Sequence, residues 1–334
     1  MVKKKGEIVI IYRSWQRFHQ TVFDMLSEKY NVKKFEFRGI FTPFKLLKKI
    51  NKHNLSVSMF AGKHAFCTVL LGKIIGHKSV VVVLGYDVAK SQHSCELTWR
   101  IVKTMTKITL TFADCCIAAS KYLMNETLSF VKPKKLIYTP APDSVDTAYF
   151  VPQKKEKKLV LSVGIITKLS LERKRFDVFR ECAKKMPDVS FVWAGLLKES
   201  DILDTLIKQS PPNLTILHDL SDEDLRTLMG RANVYCQLSR SETFGVAMAE
   251  AMACECVPVV TPVGAIPEVV GDAGIYVPYG DVEKTVEGIK EALSKPELGK
   301  KARQRIVENY SKEKLKPEFL KIIDEIYSEL ENRP

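Results

Sequence analysis

SETFGVAMAEAMACECVPVV, residues 241–260, reads as a turn and an apolar helix that lead into a buried strand. The segment looks built for burial, yet it carries two carboxylates, Glu242 and Glu250, eight residues apart. One interpretation is a binding site that uses both carboxylates. The other is that Glu242 caps the helix and favours its dipole while Glu250 lies partly exposed. The spacing alone leaves both interpretations open.

The helix start between the two carboxylates favours an anion. Gly245 permits close approach of the backbone, and the first unpaired N–H groups, around Phe244 to Val246, add to the helix dipole. At ~1.5 Å per residue, a helix over the whole segment would separate the carboxylates by about 12 Å. That is roughly the reach from one end of a sugar diphosphate to the ribose beyond it. Carboxylates only accept hydrogen bonds, so one of the two suits sugar hydroxyls and the other suits ribose hydroxyls.

Short β-rich runs alternate with helix-period segments along the whole chain. The alternation predicts βαβ units and mostly parallel sheets, and continuous apolar runs such as VVVVL predict strands buried on both faces. Helices are predicted at 172–186 and 221–232, among others. Strands are predicted at 7–13, 31–37, 55–61, 79–85, 115–120, 135–140, 158–165, 189–195, 214–220, 233–239, 257–262 and 273–278.

The length of 334 residues favours two domains of roughly 150 residues each. Proline and a run of charges interrupt the pattern at VPQKKEKK, residues 151–158, so the predicted domains are 1–150 and 151–334. The last helix, about 313–331, is expected to pack back on the first domain. The predicted fold class is α/β, with two Rossmann-like domains and a ligand in the cleft between them, at the carboxyl ends of the strands.

Composition argues against a membrane-spanning chain, because no apolar run approaches the ~20 residues that a span needs. MVKKKGEIVIIYRSW reads as a short basic tail and a first strand, since the apolar run is brief and no small-residue cleavage site follows. None of the eight cysteines falls in a paired CxxC framework. We interpret them as buried small hydrophobes of a reducing, cytoplasmic compartment, and no metal site is predicted.

The net charge of +13 comes entirely from the first half of the chain. Residues 1–150 hold 24 Lys+Arg and 10 Asp+Glu, a net of +14, whereas the remainder holds 28 and 29, a net of −1. This asymmetry predicts that one domain faces phosphate, an acidic membrane or nucleic acid. No recognised nucleic-acid-binding motif is present and the basic runs form no aromatic platform, so nucleic acid is not expected as a partner.

The motif S-x-x-E-T-F-G-V-A-M-A-E-A-M-A, residues 239–253, resembles the E-x7-E signature of the retaining family 4 glycosyltransferases, which have the GT-B fold. The likeness extends to the strand, turn and Pro-Glu segment at 257–281 and to the strand, basic loop and helix at 161–179. APDSVDTAYFVP (141–152) and LGYDV (84–88) also resemble family segments. The resemblance covers nearly all of the second domain strongly and the first domain weakly.

The resemblance implies that Glu242 contacts the transferred sugar and that Glu250 holds the ribose. It implies that the backbone at Phe244, Gly245 and Val246 contacts the donor sugar and phosphate. The implied reaction moves a sugar, of the hexosyltransferase type, from a UDP-, GDP- or ADP-linked donor to an acceptor hydroxyl with retained anomeric configuration.

In the family, a basic pair in the loop after the first strand of the second domain neutralises the leaving diphosphate. Lys174 matches one member of that pair. The other normally follows the strand's glycine directly, but here Gly164 is followed by Ile165. Arg173 or Arg175 is therefore expected to replace it, and a solvated helix start is the alternative for these basic residues.

His218, after the strand LTIL, lies where the family receives the nucleotide base through backbone atoms, although a lone histidine is more often structural. The implied chemistry stabilises negative charge on the leaving diphosphate with a helix N-terminus plus Lys or Arg. No acidic DxD-type cluster lies near the motif, which agrees with a reaction that needs neither a metal nor a cofactor.

In GT-B enzymes the first domain mostly binds the acceptor, and the residues expected on that side are Arg13, His19 and Asp87. This domain departs from the family pattern. The loop YRSWQRFHQ after the first strand has no glycine, and Leu84 stands where many relatives carry an active-site histidine. His19, early in the first helix, is a candidate to face the cleft, with a surface or core position as the alternative.

FTPFKLLKKINKHN, residues 41–54, places apolar residues at three-residue spacing and lysines on the other faces. The apolar set is Phe41, Phe44, Leu47 and Ile50, and the basic set is Lys45, Lys48, Lys49 and Lys52. The pattern fits either an ordinary amphipathic helix on the sheet or a helix on an anionic bilayer. With the charge excess, it favours a phosphate-bearing or lipid-linked acceptor at a membrane face.

Three function classes compete. The leading one is a sugar-nucleotide-dependent glycosyltransferase, expected in the cytoplasm and peripheral on the inner face of the membrane. The second is a non-catalytic GT-B subunit that binds nucleotide sugar or a partner; the departures in the first domain favour it, and the intact Glu242–Glu250 motif opposes it. A two-Rossmann oxidoreductase is disfavoured, because no GxGxxG follows any early strand.

Overall fold

The computed structural model describes residues 4–39, 42–51, 54–85, 88 and 96–331. The chain divides into two compact units, one of Met1–Ser144 with Leu315–Pro334 and one of Val145–Lys314. The division therefore falls after Ser144, whereas the sequence pattern placed it at residue 150. Val145 belongs to the second unit because its N–H donates to the Tyr310 carbonyl at 2.9 Å and its side chain joins that unit's core.

Unit 1 contains a six-stranded sheet in which every pairing is parallel. Its strands are β1 (Glu7–Tyr12), β2 (Asn31–Glu36), β3 (Leu55–Met59), β4 (Lys78–Val83), β5 (Cys115–Ala118) and β6 (Leu136–Tyr138), in the order β2-β1-β3-β4-β5-β6. The connecting helices are α1 (Arg17–Ser27), α2 (Thr42–Leu47), α3 (Lys63–Ile75), α4 (Glu96–Phe112) and α5 (Lys121–Phe130).

Unit 2 contains a second six-stranded parallel sheet. Its strands are β7 (Leu159–Val163), β8 (Ser190–Gly195), β9 (Leu214–His218), β10 (Val234–Gln237), β11 (Val257–Val260) and β12 (Ile275–Tyr276), in the order β12-β11-β10-β7-β8-β9. Its helices are α6 (Lys168–Lys174), α7 (Phe176–Lys185), α8 (Leu203–Gln209), α9 (Asp222–Arg231), α10 (Val246–Ala253), α11 (Ile266–Val270), α12 (Val282–Ser294) and α13 (Glu297–Tyr310).

The last helix, α14 (Lys312–Glu331), runs from unit 2 into unit 1 and completes the core of unit 1. Its apolar face contributes Leu315, Phe319, Ile322, Ile323, Ile326, Tyr327 and Leu330 to the buried cluster around β1, β3, β4 and β5. Asp324 on the same helix accepts hydrogen bonds from the buried Tyr30 hydroxyl and from the Lys29 ammonium. Apolar burial and a charged anchor together hold the end of the chain on this sheet.

The predicted α/β class and all twelve predicted strands are confirmed, with strand ends that are shorter than predicted because the apolar runs continue into the following loops. The predicted helix at 221–232 is confirmed as α9. The predicted single helix at 172–186 is wrong. Arg175 takes a left-handed conformation (φ 56°, ψ 52°), which no α-helix can continue through, so α6 ends and α7 begins at this residue.

The predicted amphipathic helix over 41–54 is also wrong in length, because α2 covers only Thr42–Leu47. Leu46 and Ile50 are the buried residues here, and they pack with Val9 and Ile11 of β1. Phe44 is 69% exposed and Leu47 38%, although the three-residue spacing had put both on the apolar face with Ile50. A short helix followed by a turn breaks that spacing. Phe41 and Lys52, also in the predicted pattern, lie outside the described residues.

Candidate functional site

The candidate site lies where the strand order of unit 2 reverses direction. From β7 the chain passes to β8 and β9 on one side, and then crosses to β10, β11 and β12 on the other. In a doubly wound parallel sheet, the loops after the two strands at this switch point diverge and leave a crevice for a ligand. Gly164 follows β7, and residues 238–245 follow β10, so both segments lie at this crevice.

Glu242 is the centre of a polar cluster in the loop after β10. Its Oε2 accepts from Gln237 Nε2 at 2.8 Å and lies 3.4 Å from Ser239 Oγ. Arg173 Nη1 lies 3.4 Å and Lys174 Nζ 3.7 Å from the same oxygen. All four contacts therefore fix Oε2, and none of them uses Oε1.

Further hydrogen bonds fix Gln237 and Ser239, the two polar neighbours of Glu242. Gln237 and Tyr235 lie on one face of β10, two residues apart, and the Tyr235 hydroxyl donates to Gln237 Oε1 at 3.3 Å. Gln237 Nε2 also donates to Ser239 Oγ at 2.7 Å, and Thr261 Oγ1 donates to the Ser239 carbonyl at 2.7 Å. All four side chains are buried, so the carboxylate rests on a satisfied network rather than on solvent.

Lys174 and Arg173 bring two cations to this carboxylate from the end of α6. The Lys174 side chain is only 13% exposed. Burial lowers its pKa below the usual lysine value, the Glu242 carboxylate opposes that shift, and the Arg173 guanidinium adds to it. Arg173 also donates to the Ser241 carbonyl at 3.1 Å, and its own carbonyl accepts from the Arg240 N–H at 2.8 Å. The end of α6 and the loop after β10 are thus tied together.

Gly164 is required for the position of Lys174. A Cβ at Gly164 would lie 2.5 Å from Lys174 Cδ and 2.9 Å from Trp193 Cζ2, closer than carbon atoms tolerate. The absence of a side chain lets the lysine stem lie across the end of β7. Gly195, at the end of β8, fits against the Gly164 carbonyl in the same way, because a Cβ there would lie 1.9 Å from that oxygen.

The helix after Glu242 begins later than the sequence pattern suggested. Gly245 takes a left-handed conformation (φ 88°), and α10 starts at Val246. The helical rise therefore does not apply to residues 242–245, and the expected separation of about 12 Å between the carboxylates loses its basis. The N-cap residue of α10, Gly245, provides no side-chain cap, so the first N–H groups of the helix, at Val246 and beyond, receive no bond from that residue.

Glu250 and Phe244 are both buried, but in different ways. Glu250 lies in the first turns of α10 with 4% exposure, so the alternative of a partly exposed Glu250 is wrong. Burial raises the pKa of the Tyr235 phenol, and the charges of Glu242 and Glu250 raise it further, which places both carboxylates near one ring. The Phe244 side chain packs edge-on against Tyr310, with ring centroids 5.5 Å apart, so only its backbone is available to a ligand.

Gly264 supports Glu242 from the neighbouring loop after β11. The Ala265 N–H donates to the Glu242 carbonyl at 3.0 Å. Gly264 has φ +56°, and a Cβ there would lie 1.9 Å from the same carbonyl oxygen. Only glycine combines this conformation with this close approach. The backbone of Glu242 is therefore as firmly held as its side chain.

Two residues suggested by the sequence lie away from the cluster. Arg175 forms its ion pair with Asp177 and lies over the Tyr279 ring, so Arg173 is the arginine that accompanies Lys174. His218 ends β9, on the far edge of the sheet from β10, and its Nδ1 lies 3.1 Å from Asp219 Oδ2. Its side chain is 40% exposed and none of its described contacts reaches Glu242.

The candidate acceptor-side residues of unit 1 differ in burial. Arg13 is exposed after β1. His19 is 3% exposed, its Nδ1 accepts from the Gln16 N–H at 3.1 Å, and its ring stacks on Trp15 at 5.4 Å. That bond is one half of a capping box at the start of α1, so the structure gives His19 a local structural role. Asp87 lies outside the described residues.

The outer surface of unit 1 carries the basic segment around α2. Phe44 and Leu47 are exposed beside Lys45, Lys48 and Lys49, and within the described part of the chain these lysines form no ion pair. None of the helices that the structure describes is long and apolar enough to cross a bilayer. The surface thus combines apolar side chains with uncompensated positive charge.

Sequence reasoning missed Gln237, Ser239 and Gly264. Gln237 and Ser239 fell inside a predicted buried strand, where a polar residue at the carboxyl end is the available signal of a site. Gly264 fell in a turn, and nothing in the sequence alone shows which backbone it touches. The sequence-based prediction named Gly164, Arg173, Lys174 and the Glu242 to Val246 segment, and the structure brings these residues to one edge of one sheet.

Comparison with known proteins begins with a family model. The model described as "Glycosyl transferases group 1" matches residues 147–313, which is nearly the whole of unit 2. Among curated relatives, N-acetyl-alpha-D-glucosaminyl L-malate synthase of Bacillus anthracis is 28% identical over 285 residues, covering 78% of this chain and 71% of that protein.

One subunit of phosphatidylinositol N-acetylglucosaminyltransferase is also similar, but over less of its own length. The Arabidopsis thaliana protein is 24% identical over 251 residues, covering 71% of this chain and 55% of the relative. The human protein is 27% identical over 158 residues, covering 46% of this chain and 32% of the relative. The chain therefore spans about a third to about half of these two proteins.

Two solved structures match nearly the entire chain. Sucrose-phosphate synthase from Thermosynechococcus elongatus superposes with a TM-score of 0.80 at 16% identity, over 97% of this chain and 100% of that one. Anabaena HepE, in complex with UDP-glucose, superposes with a TM-score of 0.78 at 14% identity, over 96% and 100%. At these identities the likeness shows the fold, and the predicted GT-B fold class is confirmed.

Proposed function

This chain belongs to the glycosyl transferases group 1 family, and we propose that it moves a hexose from a nucleotide-diphosphate sugar to an acceptor hydroxyl with retention of anomeric configuration. The observation that carries the proposal is the convergence of Lys174 and Arg173 on Glu242 beside the N-terminus of α10. Positive charge and an anchored carboxylate at a switch point suit a diphosphate and the sugar attached to it.

The main chemical task is to stabilise the leaving diphosphate. When the bond between the anomeric carbon and the phosphate oxygen breaks, its electron pair leaves with the oxygen. The sugar becomes oxocarbenium-like, and one further negative charge develops on the departing diphosphate. In the proposal, Lys174, Arg173 and the first N–H groups of α10 receive that charge. These groups are fixed before the reaction begins, so little reorganisation is needed. The charge is balanced by protein groups, and the proposed reaction is independent of metal ions and cofactors.

The two carboxylates have different tasks in the proposal. Because four neighbours hold Glu242 by Oε2, its Oε1 is assigned to a hydroxyl of the transferred sugar. Glu250, buried on α10, is assigned to the ribose hydroxyls, and the nucleotide base is assigned to the backbone near His218. A UDP-linked donor is the first to test, since the HepE structure holds UDP-glucose.

The acceptor is proposed to be phosphate-bearing or lipid-linked, with unit 1 in contact with the inner, cytoplasmic face of a membrane. Phe44 and Leu47 provide apolar side chains to insert, and Lys45, Lys48 and Lys49 provide charge for anionic lipid. Each lysine near such a surface contributes about 1 kcal/mol. Three of them with two apolar anchors suit reversible, peripheral binding.

The donor is tested by calorimetric titration of wild-type protein with UDP-, GDP- and ADP-sugars, repeated with EDTA. We expect one nucleotide to bind, and binding to fall sharply in Lys174→Met. Slow hydrolysis of the bound donor, followed by NMR, shows the anomeric configuration of the released sugar. Donor binding without hydrolysis or transfer would favour the non-catalytic alternative, and loss of binding in EDTA would contradict metal independence.

Membrane contact is tested by flotation with vesicles of neutral phosphatidylcholine and with vesicles that contain anionic phosphatidylglycerol. Wild-type protein is expected to float with the anionic vesicles, and Phe44→Ser/Lys48→Glu to remain behind. Ile207→Ser/Lys208→Glu, which changes another exposed apolar and basic pair, on α8 of unit 2, is the matched control and should still float. Equal flotation of both variants would contradict the proposal that the residues around α2 bind the membrane.

A further inference from the structure

Arg175, between α6 and α7, occupies a backbone conformation that normally calls for glycine. Its φ of 56° and ψ of 52° lie in the left-handed region, which costs a residue with a Cβ about 1–2 kcal/mol. Helix junctions of this kind commonly use glycine for that reason. Either contacts of the arginine side chain offset this conformational free energy, or the arginine lowers the stability of the fold without a compensating contact.

The Arg175 side chain is held on two sides. Its Nε and Nη2 donate to the two carboxylate oxygens of Asp177, at 2.8 and 2.7 Å, in a bidentate fork. Its guanidinium lies over the Tyr279 ring, 4.8 Å from the centroid. Tyr279 follows β12, and the next residue, Gly280, is left-handed with room for the guanidinium, since a Cβ there would lie 2.8 Å from Nη1. The fork fixes the guanidinium within the α6–α7 junction, and its contact with the Tyr279 ring joins this junction to the loop after β12.

Phe176, the first residue of α7, is buried in the core, but one side of the turn is open. A solvent-open pocket of about 460 Å³ borders Arg175, Phe176 and Tyr279, so side chains do not fill the space on that side. The residue immediately before the turn is Lys174, whose ammonium lies 3.7 Å from Glu242 and whose stem crosses Gly164. A change in the backbone angles at Arg175 rotates the end of α6 and moves Lys174 with it.

We propose that Arg175 is a positioning residue: through Asp177 and Tyr279 it holds the left-handed turn that aims Lys174 and Arg173 at Glu242. One consequence of this proposal, a higher affinity for the donor diphosphate, rests on the proposed function; the positioning of Lys174 does not. Bidentate geometry supplies direction as well as energy, and the aromatic ring fixes the plane of the guanidinium. Arg175 itself contacts neither Glu242 nor the carboxylate network.

The test compares Arg175→Gly with Lys158→Gly. Glycine adopts the left-handed turn without cost, so both variants should fold as wild type does, which thermal unfolding checks. Lys158 has φ 57° just before β7 and is the matched control for removing a left-handed side chain in unit 2. If the fork matters, Arg175→Gly loosens the turn; if arginine is merely tolerated there, glycine relieves strain and changes nothing else.

The first readout is acylation of Lys174, followed by mass spectrometry after short pulses of an amine reagent. In Arg175→Gly we expect Lys174 to react about five-fold faster, the change that follows from losing one exposed cation–π contact and fork. The same increase is expected in Tyr279→Leu, with no further increase in the double variant. Lys158→Gly should leave the rate unchanged. An unchanged Lys174 rate in Arg175→Gly would overturn the proposal.

The second readout is the dissociation constant of UDP, together with the split between KM and kcat for a UDP-sugar. Arg175→Gly is expected to weaken UDP about five-fold and to raise KM more than it lowers kcat. Should wild-type protein bind no nucleotide, the proposed function fails, and the acylation rates still decide the role of Arg175. Wild-type affinity in Arg175→Gly, with nucleotide bound normally, counts against the positioning role.

Discussion

The carboxyl edges of the two sheets share a doubly wound topology but carry opposite chemistry. In unit 2 the last turn of α6 and the loop after β10 bring opposed charges together, Lys174 against Glu242, and a hydrogen-bond network holds the carboxylate. In unit 1 the first turns of α1 and α3, which follow β1 and β3, bury the neutral rings of His19 and His64 instead, while Arg13 stays exposed. The topological switch point therefore indicates where a ligand can bind, and the charges buried there indicate the chemical class of that ligand.

The difference has a physical cause. A buried charge is tolerated only where partners compensate it, and unit 2 supplies four partners to Glu242 from two segments, the end of α6 and residues 237–239. In unit 1 burial lowers the pKa of His19 to about 4 and also lowers that of His64, so neither ring carries charge near neutral pH. Lys78, a buried cation of unit 1, is paired with Glu329, whereas Arg13 and the lysines of the α2 segment are exposed to water.

The strongest test of the comparison removes the buried cation from unit 2. Lys174→Met keeps the length of the side chain and is expected to lower kcat by about 10²–10³, the usual effect of removing one group that stabilises a leaving anion. Lys155→Met is the control, because the Lys155 ammonium donates to the Ala232 and Cys254 carbonyls at 2.7 and 2.6 Å. Lys155→Met should lower the Tm and leave kcat unchanged. An equal fall in kcat in Lys155→Met and Lys174→Met would show that the effect is not specific to Lys174.

The second test protonates the buried imidazole of His19 in unit 1. The pKa of His19 lies near 4 in the folded chain and near 6.5 in the unfolded one, so the unfolded state binds the proton more readily. The free energy of unfolding should fall as the pH drops from about 6.5 to about 4, by ~1.4 kcal/mol per pH unit from this residue.

His19→Gln isolates that contribution, because glutamine at the third helical position can still accept from the Gln16 N–H. Urea denaturation of both proteins between pH 7 and pH 4 gives the two slopes. The variant is expected to lose stability less steeply than wild type. Parallel slopes would mean that His19 is not buried in its neutral form.

A third test breaks the network beneath Glu242. Gln237→Leu removes the side-chain acceptor of the buried Tyr235 hydroxyl and the donor to Ser239 Oγ, and is expected to cost about 1–3 kcal/mol in the free energy of unfolding. It should also lower kcat, because Glu242 loses its shortest hydrogen bond. Chemical denaturation and steady-state kinetics measure the two effects. A stable variant with normal kcat would show that Gln237 is dispensable to the carboxylate.

The smallest expected effect compares one glycine at each edge. Gly164→Ala forces Lys174 aside and is expected to weaken UDP about ten-fold, or about 1.4 kcal/mol. Gly62→Ala, before α3 of unit 1, meets only the His64 ring at 3.3 Å and should leave UDP affinity unchanged. Calorimetric titration measures the UDP dissociation constant of both variants. Equal loss in both would indicate a general effect on folding rather than on Lys174.

The strands of both sheets and the Glu242, Glu250 and Lys174 positions were predictable because their signals are local. Buried strands show as runs of β-branched residues, and the E-x7-E spacing lies within one segment. The break at Arg175 was not predictable, since an arginine in a helical pattern gives no sign of a left-handed turn. The late start of α10 was missed for a related reason: Gly245 was interpreted as part of the helix.

Features that depend on contact between distant segments were also hidden. Gly264 lies more than twenty residues after Glu242, and its close approach to that carbonyl exists only in the folded sheet edge. The exposure of Phe44 depends on where α2 ends, and periodicity overestimates the length of a short helix. The burial of His19 depends on a ring of aromatic neighbours, chief among them Trp15 and Phe18.

The most direct measurement is a crystal structure of the chain with a UDP-sugar, with GDP- and ADP-sugars as parallel soaks. We expect the diphosphate between Lys174 Nζ and the start of α10, a sugar hydroxyl on Glu242 Oε1, and the ribose on Glu250. A nucleotide bound elsewhere, or a diphosphate that contacts neither Lys174 nor Arg173, would contradict the proposed site.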